Sequence, residues 1–150
     1  MSHTYTNLLF HLAMSTKHRT ACIDGELKSR LYPYLGGITG ELHGKALGVN
    51  GTADHVHLLV SLPPTLAVSD ALRVLKTNSS RWVHETWPSR IQFGWQVGYG
   101  AFSVSQSAIA AVLRYIANQE EHHRTMTFQE EFLWLLKKNG LSYDERYIWD

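Results

Sequence analysis

The sequence predicts an α+β fold, a small sheet with helices packed on it, and three observations carry that expectation. Short stretches of alternating or continuous apolar residues read as strands, and longer stretches with apolar residues every three or four positions read as helices. The two kinds follow one another as β-α-β-β-α-β-α over 150 residues, a length that suits one domain spanning 1–150. With 44% hydrophobic, 11% aromatic and 18% charged residues the chain is neither disordered nor fibrous, and it can build its core without a disulfide or structural metal.

Asn7 to Met14 places Leu8, Phe10 and Leu12 on one face and Leu9, His11 and Ala13 on the other, a strand covered on both sides. Lys17, His18 and Arg19 follow as a basic cluster. From Gly25, the spacing of Leu27, Leu31, Leu35, Ile38 and Leu42 is helical, with Pro33 and Gly36-Gly37 predicting an irregular or broken helix and Gly44 its end. Ala46 to Asn50 and His55 to Leu62 read as paired strands joined by a turn containing Gly51. After Pro63-Pro64, Val68, Leu72, Leu75 and Val83 line a second helix to about Thr86. Phe93 to Val104 is a short strand or loop returning to the sheet. Ser105 or Ser107 can cap a third helix over Ile109 to Glu121, and Thr127 with Glu130 forms a capping box for a fourth that ends at Asn139-Gly140.

Fourteen Lys and Arg against thirteen Asp and Glu leave a charge of +1, without the excess of a general duplex-DNA binder. The charge is uneven: residues 1–124 carry eleven basic and eight acidic groups, +3, and residues 125–150 three and five, −2. A single cysteine, Cys22, and no apolar run of membrane-spanning or signal-peptide length point to a cytoplasmic protein without a membrane partner.

Within Asp54-His55-Val56-His57-Leu58-Leu59-Val60, strand periodicity sends His55 and His57 to one face, with α-carbons about 6.6 Å apart. Two imidazoles so spaced can converge on one cation while Val56, Leu58 and Val60 anchor the strand; the same pattern also fits two hydrogen-bonded or surface histidines. On the third helix Tyr115 and Gln119 are four residues apart and share a face. Together they offer a phenol nucleophile and an amide-oxygen ligand, or else a core aromatic and a surface glutamine.

The chain resembles the HUH single-tyrosine transposases of the smallest insertion sequences, which move as single-stranded DNA. The likeness runs through Phe10-His11, Ser15 to Arg19, Asp54 to Val60, Pro63-Pro64, Leu75-Lys76, Ser79 to Arg81, Trp95 to Ser105, Tyr115 to Gln119 and His122 to Arg124. It departs at Thr20-Ala21-Cys22, where relatives often carry a proline, a matter of turn geometry. The resemblance implies a ferredoxin-like or RNA-recognition-like two-layer sandwich with an antiparallel sheet. It implies His55, His57 and Gln119 as metal ligands, Tyr115 as nucleophile, a 5′-phosphotyrosine intermediate, hairpin recognition at element ends and a homodimer. The tyrosine helix then either reaches across the dimer or folds back onto its own chain.

Such a mixed nitrogen and oxygen site suits Mg²⁺ or Mn²⁺, which would draw on charge developing on the phosphate oxygens. A tyrosyl phosphodiester conserves the energy of the broken bond, so rejoining needs no ATP or other nucleotide cofactor. His122 is a further candidate as proton carrier, and His122 or His123 as a DNA or helix-end contact. Lys17, Arg19, Arg73, Lys76 and Arg81 are the candidate nucleic-acid contacts, beside Trp82, Trp95, Tyr99 and Phe102 as stacking platforms or core residues. The expected function is DNA-associated: cleavage and rejoining of single-stranded DNA at insertion-sequence ends. The alternatives are a domesticated single-stranded DNA nickase and a non-catalytic nucleic-acid-binding module.

Overall fold

A computed structural model describes residues 3–149. Strand β1 (Leu8–Ser15) leads to helix α1 (Gly25–Glu41), the hairpin of β2 (Lys45–Thr52) and β3 (His55–Leu62), helix α2 (Val68–Thr86) and β4 (Gly100–Val104). Helix α3 (Ile109–Ala117), the single turn α4 (Gln119–His122) and helix α5 (Phe128–Lys138) complete the chain. The four strands are antiparallel in the order β2-β3-β1-β4, and β-α-β-β-α-β is the ferredoxin-like arrangement. No helix among the described residues is long and apolar enough to cross a membrane.

One sheet face carries the main core. Leu12 and Met14 of β1 and Val56, Leu58, Val60 and Leu62 of β3 pack with Leu27, Leu31 and Leu35 of α1 and Leu72, Leu75 and Val83 of α2. Each such side chain contributes about 1.5–3 kcal/mol on burial, so β3 is held along its whole apolar face. The opposite face carries His11, His55 and His57, and it is covered by the C-terminal helices, with Phe102 of β4 meeting Leu135 and Leu136 of α5. The sheet-and-helix sandwich expected from the sequence is thus joined by a second helical cover over the histidines.

Several local expectations are corrected. Helix α1 runs unbroken through Pro33. Pro33 and Ser29, whose carbonyl loses its helical partner, both lie on the exposed face, where water can serve that carbonyl. The left-handed residue after α1 is His43 (φ 64°). Gly44 is needed instead for close approach, since a β-carbon there would lie 2.5 Å from the Ser61 carbonyl oxygen. The hairpin turn is Ala53-Asp54, with Gly51 inside β2 opposite Val56. Neither Ser105 nor Ser107 caps α3; their hydroxyls lie 3.1 Å from each other and Ala108 precedes the helix. The helix expected over Ile109 to Glu121 breaks at Asn118 (φ −97°, ψ 21°). The capping box of Thr127 and Glu130 is present, and Gly140 follows α5 with φ 71°.

Candidate active site and metal-binding cluster

His55 and His57 project from β3 away from the main core, and both are fully buried, as are Gln119 and Glu131 at 0% exposure. The break at Asn118 brings Gln119 over the strand. Asn50 of β2 supports this junction by donating from Nδ2 to the carbonyls of Ile116 (2.9 Å) and Ala117 (3.3 Å). Gln119 Oε1 then lies 2.8 Å from His55 Nε2, and half-buried Tyr115 packs edge-on to His57 with ring centres 5.9 Å apart. The chain therefore brings its own tyrosine helix to its own histidines.

Glu131, absent from the sequence-based candidates, joins all of them. Its Oε1 lies 2.8 Å from His57 Nε2, 3.1 Å from His123 Nε2 and 3.4 Å from His55 Nε2. Its Oε2 accepts from the Tyr115 hydroxyl and from Gln119 Nε2 (2.9 Å). The capping box at Thr127 sets the start of α5, and Phe128, Leu135 and Leu136 fix its buried face, which places Glu131 inward. The only sequence signal was an acid on the apolar side of that helix, and in sequence it reads as an ordinary second charge beside Glu130.

The electrostatics follow from this packing. Burial would raise the Glu131 carboxyl, but hydrogen bonds from His123 and His57, the His57 charge and the Tyr115 hydroxyl outweigh it and hold the group well below the usual carboxylate range. Burial, reinforced by the Glu131 hydrogen bond and charge, pushes the Tyr115 phenol well above its ordinary value. Burial also lowers His57, against the opposing pull of Glu131. His123 is raised because its bond to Glu131 and the Glu131 charge exceed the effect of its own partial burial. Behind His55, Asp54 Oδ1 lies 2.7 Å from Nδ1, which favours a proton on Nδ1 and leaves Nε2 as a lone pair.

That tautomer has a consequence. The His55 Nε2 lone pair faces the Gln119 carbonyl oxygen at 2.8 Å, while Gln119 Nε2 is engaged by Glu131. Both atoms are of the type that can ligate a cation. Ligand atoms of His55, His57 and Glu131 also lie within 4.8 Å of one another, close enough for one cation to span. The donor set therefore fits a divalent ion, with imidazole nitrogens and hard oxygens in one pocket.

Three of the five expected nucleic-acid contacts, Lys17, Arg73 and Lys76, line a different cleft of about 1040 Å³. Lys17 is exposed, and Arg73 is exposed with Asp70 3.8 Å away. Lys76 Nζ donates to the carbonyls of Gln96 (2.8 Å) and Gly98, and partial burial lowers it to about 8. Arg81 is exposed beside Asn78. Arg19 lies away from this cleft, with its guanidinium 5.4 Å from the Trp149 ring centre. Of the aromatics, Phe102 is buried, Trp82 stacks on Tyr34 at 4.1 Å and Trp95 donates to Ser79 Oγ. Only Tyr99 of that group is exposed.

The chain is similar to proteins of known kind. The family described as Transposase IS200 like matches residues 4–119. The ISDra2 transposase TnpA of Deinococcus radiodurans is 29% identical over 119 residues, covering 76% of this chain and 85% of its own. The transposase for insertion sequence element IS200 of Salmonella typhimurium is 26% identical over 129 residues, covering 83% and 84%. A solved structure from Deinococcus radiodurans R1 superposes with a TM-score of 0.65 at 26% identity, covering 79% of this chain and 96% of its own. A REP-associated tyrosine transposase bound to a REP hairpin shares the fold, with a TM-score of 0.60 at 11% identity over 82% of this chain and 73% of its own. With a match over most of its length, four antiparallel strands in the family's setting and a DNA-processing enzyme's name on each curated relative, the chain belongs to the IS200-like transposase family.

Proposed function

We propose that this transposase cleaves and rejoins single-stranded DNA at insertion-sequence ends through a 5′-phosphotyrosine on Tyr115. The carrying observation is the convergence of Tyr115, Gln119, His55 and His57 on one buried point from two separate parts of the chain. A nucleic-acid-binding module has no use for a phenol and three metal-type ligands in one pocket.

The residues assign the work as follows. His55, His57 and Gln119 would hold Mg²⁺ or Mn²⁺, which when bound supplies charge stabilisation for the phosphate oxygens. Tyr115 Oη attacks phosphorus and forms the tyrosyl ester to the 5′ side. The P–O3′ bond breaks, its electron pair leaves with the 3′ oxygen, and that oxygen takes up a proton equivalent to the one Tyr115 loses. Reversal by a 3′-hydroxyl restores the phosphodiester and frees the phenol. No net bond energy is lost, so no nucleotide cofactor enters.

Tyr115 needs positioning as much as activation. At an ordinary phenol pKa near 10, about one molecule in a thousand is ionised at neutral pH, and its surroundings push it higher still. Proton loss is therefore coupled to attack, and a fixed hydroxyl gains most from proximity. The substrate is a hairpin with a single-stranded flank, and the chain works as a homodimer. The likeness in fold to a hairpin-bound transposase and the cations beside exposed Tyr99 support that substrate reading.

Incubation of the protein with single-stranded element ends and Mg²⁺ or Mn²⁺, followed by denaturing electrophoresis, tests the proposal. A protein–DNA adduct carrying a free 3′-hydroxyl fragment as co-product is expected; cleavage without any adduct would overturn the covalent mechanism.

A further inference from the structure

We infer that Glu131 is an anionic ligand of the cation held at His55 and His57 and also the residue that positions the Tyr115 hydroxyl. The inference rests on the metal-site reading above and adds a residue from α5, beyond the residues 4–119 that the family matches.

The side chain is a carboxylate with no exposure to solvent. Burying such a charge costs several kcal/mol unless its surroundings compensate. Among the described residues no lysine or arginine pairs with it; its partners are two close histidines, a third at 3.4 Å, a phenol and an amide. A structural ion pair would be met by a fixed cation. A cluster of imidazoles that can release their protons is instead what a metal ion replaces.

The two oxygens are divided between two tasks. Oε1 faces His57, His55 and His123, on the side where the ligand atoms converge. Oε2 faces Tyr115 and Gln119. One rigid carboxylate thereby ties the nucleophile to the ligand cluster. The ligand set becomes two imidazoles, one amide and one carboxylate. This carries one negative charge that a His-His-Gln set lacks, and the added hard oxygen favours Mg²⁺ and Mn²⁺ over softer-ligand ions.

The test titrates Mn²⁺ into wild type, E131Q, E131D and H57A, read by calorimetry and by the electron paramagnetic resonance signal of free Mn²⁺. Thermal melts in chelator establish that each variant is folded. The near-isosteric E131Q should bind Mn²⁺ at least tenfold more weakly, and E131D, which keeps the charge on a shorter arm, should fall between it and wild type. If E131Q does not fold, E131D against wild type carries the same comparison. At saturating Mn²⁺ and DNA, E131Q should also slow adduct formation while hairpin Kd stays within twofold. Wild-type Mn²⁺ affinity in folded E131Q, with H57A weakened, overturns Glu131 as a ligand and leaves the histidine site standing. Wild-type affinity in both variants overturns the metal site itself, and this inference with it.

Discussion

His11 Nε2 lies 2.8 Å from Nδ1 of His57, so the ring that faces Glu131 is held from behind by a second buried histidine. In the register of the sheet His11 is opposite Leu59 and His57 opposite Ala13, which makes the two rings diagonal neighbours on one face. Burial, and then the adjacent His57, lowers His11 to about 3, which favours its neutral form. A neutral imidazole offers one donor and one acceptor. The pair can therefore be satisfied with the His57 proton on Nε2, toward Glu131, or on Nδ1, toward His11, which frees the Nε2 lone pair for a metal.

Replacing His11 with phenylalanine keeps a ring against Phe102 and Tyr115 but removes that partner. We expect Mn²⁺ affinity to fall about tenfold with hairpin affinity unchanged. Calorimetric titration of H11F decides the matter; undiminished affinity would show that His57 needs no support from β1.

Tyr115→Phe should abolish the covalent adduct while leaving Mn²⁺ and hairpin affinities within about twofold, because the ring's packing against Trp134 and His122 survives and only the hydroxyl is lost. Denaturing electrophoresis reads the adduct directly, and a wild-type yield from Y115F would move the nucleophile elsewhere.

His57→Ala and Gln119→Ala should both weaken Mn²⁺ binding and suppress cleavage. The histidine change should be the larger, since it also strands His11 and removes the shortest contact to Glu131 Oε1. Calorimetry beside a cleavage assay checks the order; a larger effect in Q119A would contradict it.

Local periodicity made much of this legible. The alternation of His55-Val56-His57-Leu58 determines that both histidines share a face, and the i, i+4 spacing of Tyr115 and Gln119 brings them near one another even though the helix breaks at Asn118. Glu131 was not legible because its role depends on how α5 crosses the sheet, a tertiary fact with no local pattern. His11 was legible as an alternating strand residue and as part of the family-like Phe10-His11 pair, but its pairing with His57 was not, since that partner lies 46 positions away. The aromatics were ambiguous in sequence, and packing against Tyr34, Ser79 and α5 removed Trp82, Trp95 and Phe102 from the open surface.

Hairpin DNA with a single-stranded flank should bind more tightly than a perfect duplex of the same sequence at one salt concentration. Exposed Arg81 should act as a phosphate contact, so R81A should reduce the slope of log affinity against log salt by about 0.7. Lys76 is bound to the carbonyls of Gln96 and Gly98, so K76A should loosen the segment that presents Tyr99 and cost more affinity than R81A. Fluorescence anisotropy across a salt series separates the two, and equal hairpin and duplex affinities would argue against a single-strand path.

Gly51 tests whether the backbone beside His55 tolerates any side chain. In β2 it is opposite Val56, and a β-carbon there would lie 2.0 Å from the His55 carbonyl oxygen and 2.8 Å from the Val56 α-carbon. Both obstacles are backbone atoms of β3, which is pinned by Val56, Leu58 and Val60 in the main core, so neither can yield without moving the histidines. Gly48 offers the contrast: its β-carbon would meet Leu113 Cδ2 at 2.7 Å, the free end of a side chain that can turn aside. G51A should therefore cost about 2–3 kcal/mol or more, whereas G48A should cost under about 1 kcal/mol. For a chain of this size the former corresponds to a drop in Tm of roughly 5–10 °C. Where G51A remains folded at low temperature, its Mn²⁺ affinity should fall as well, because His55 is carried by the displaced segment. Melting curves and Mn²⁺ titrations on both variants supply the comparison, and a G51A protein as stable as G48A would mean that the hairpin can shift without disturbing the site.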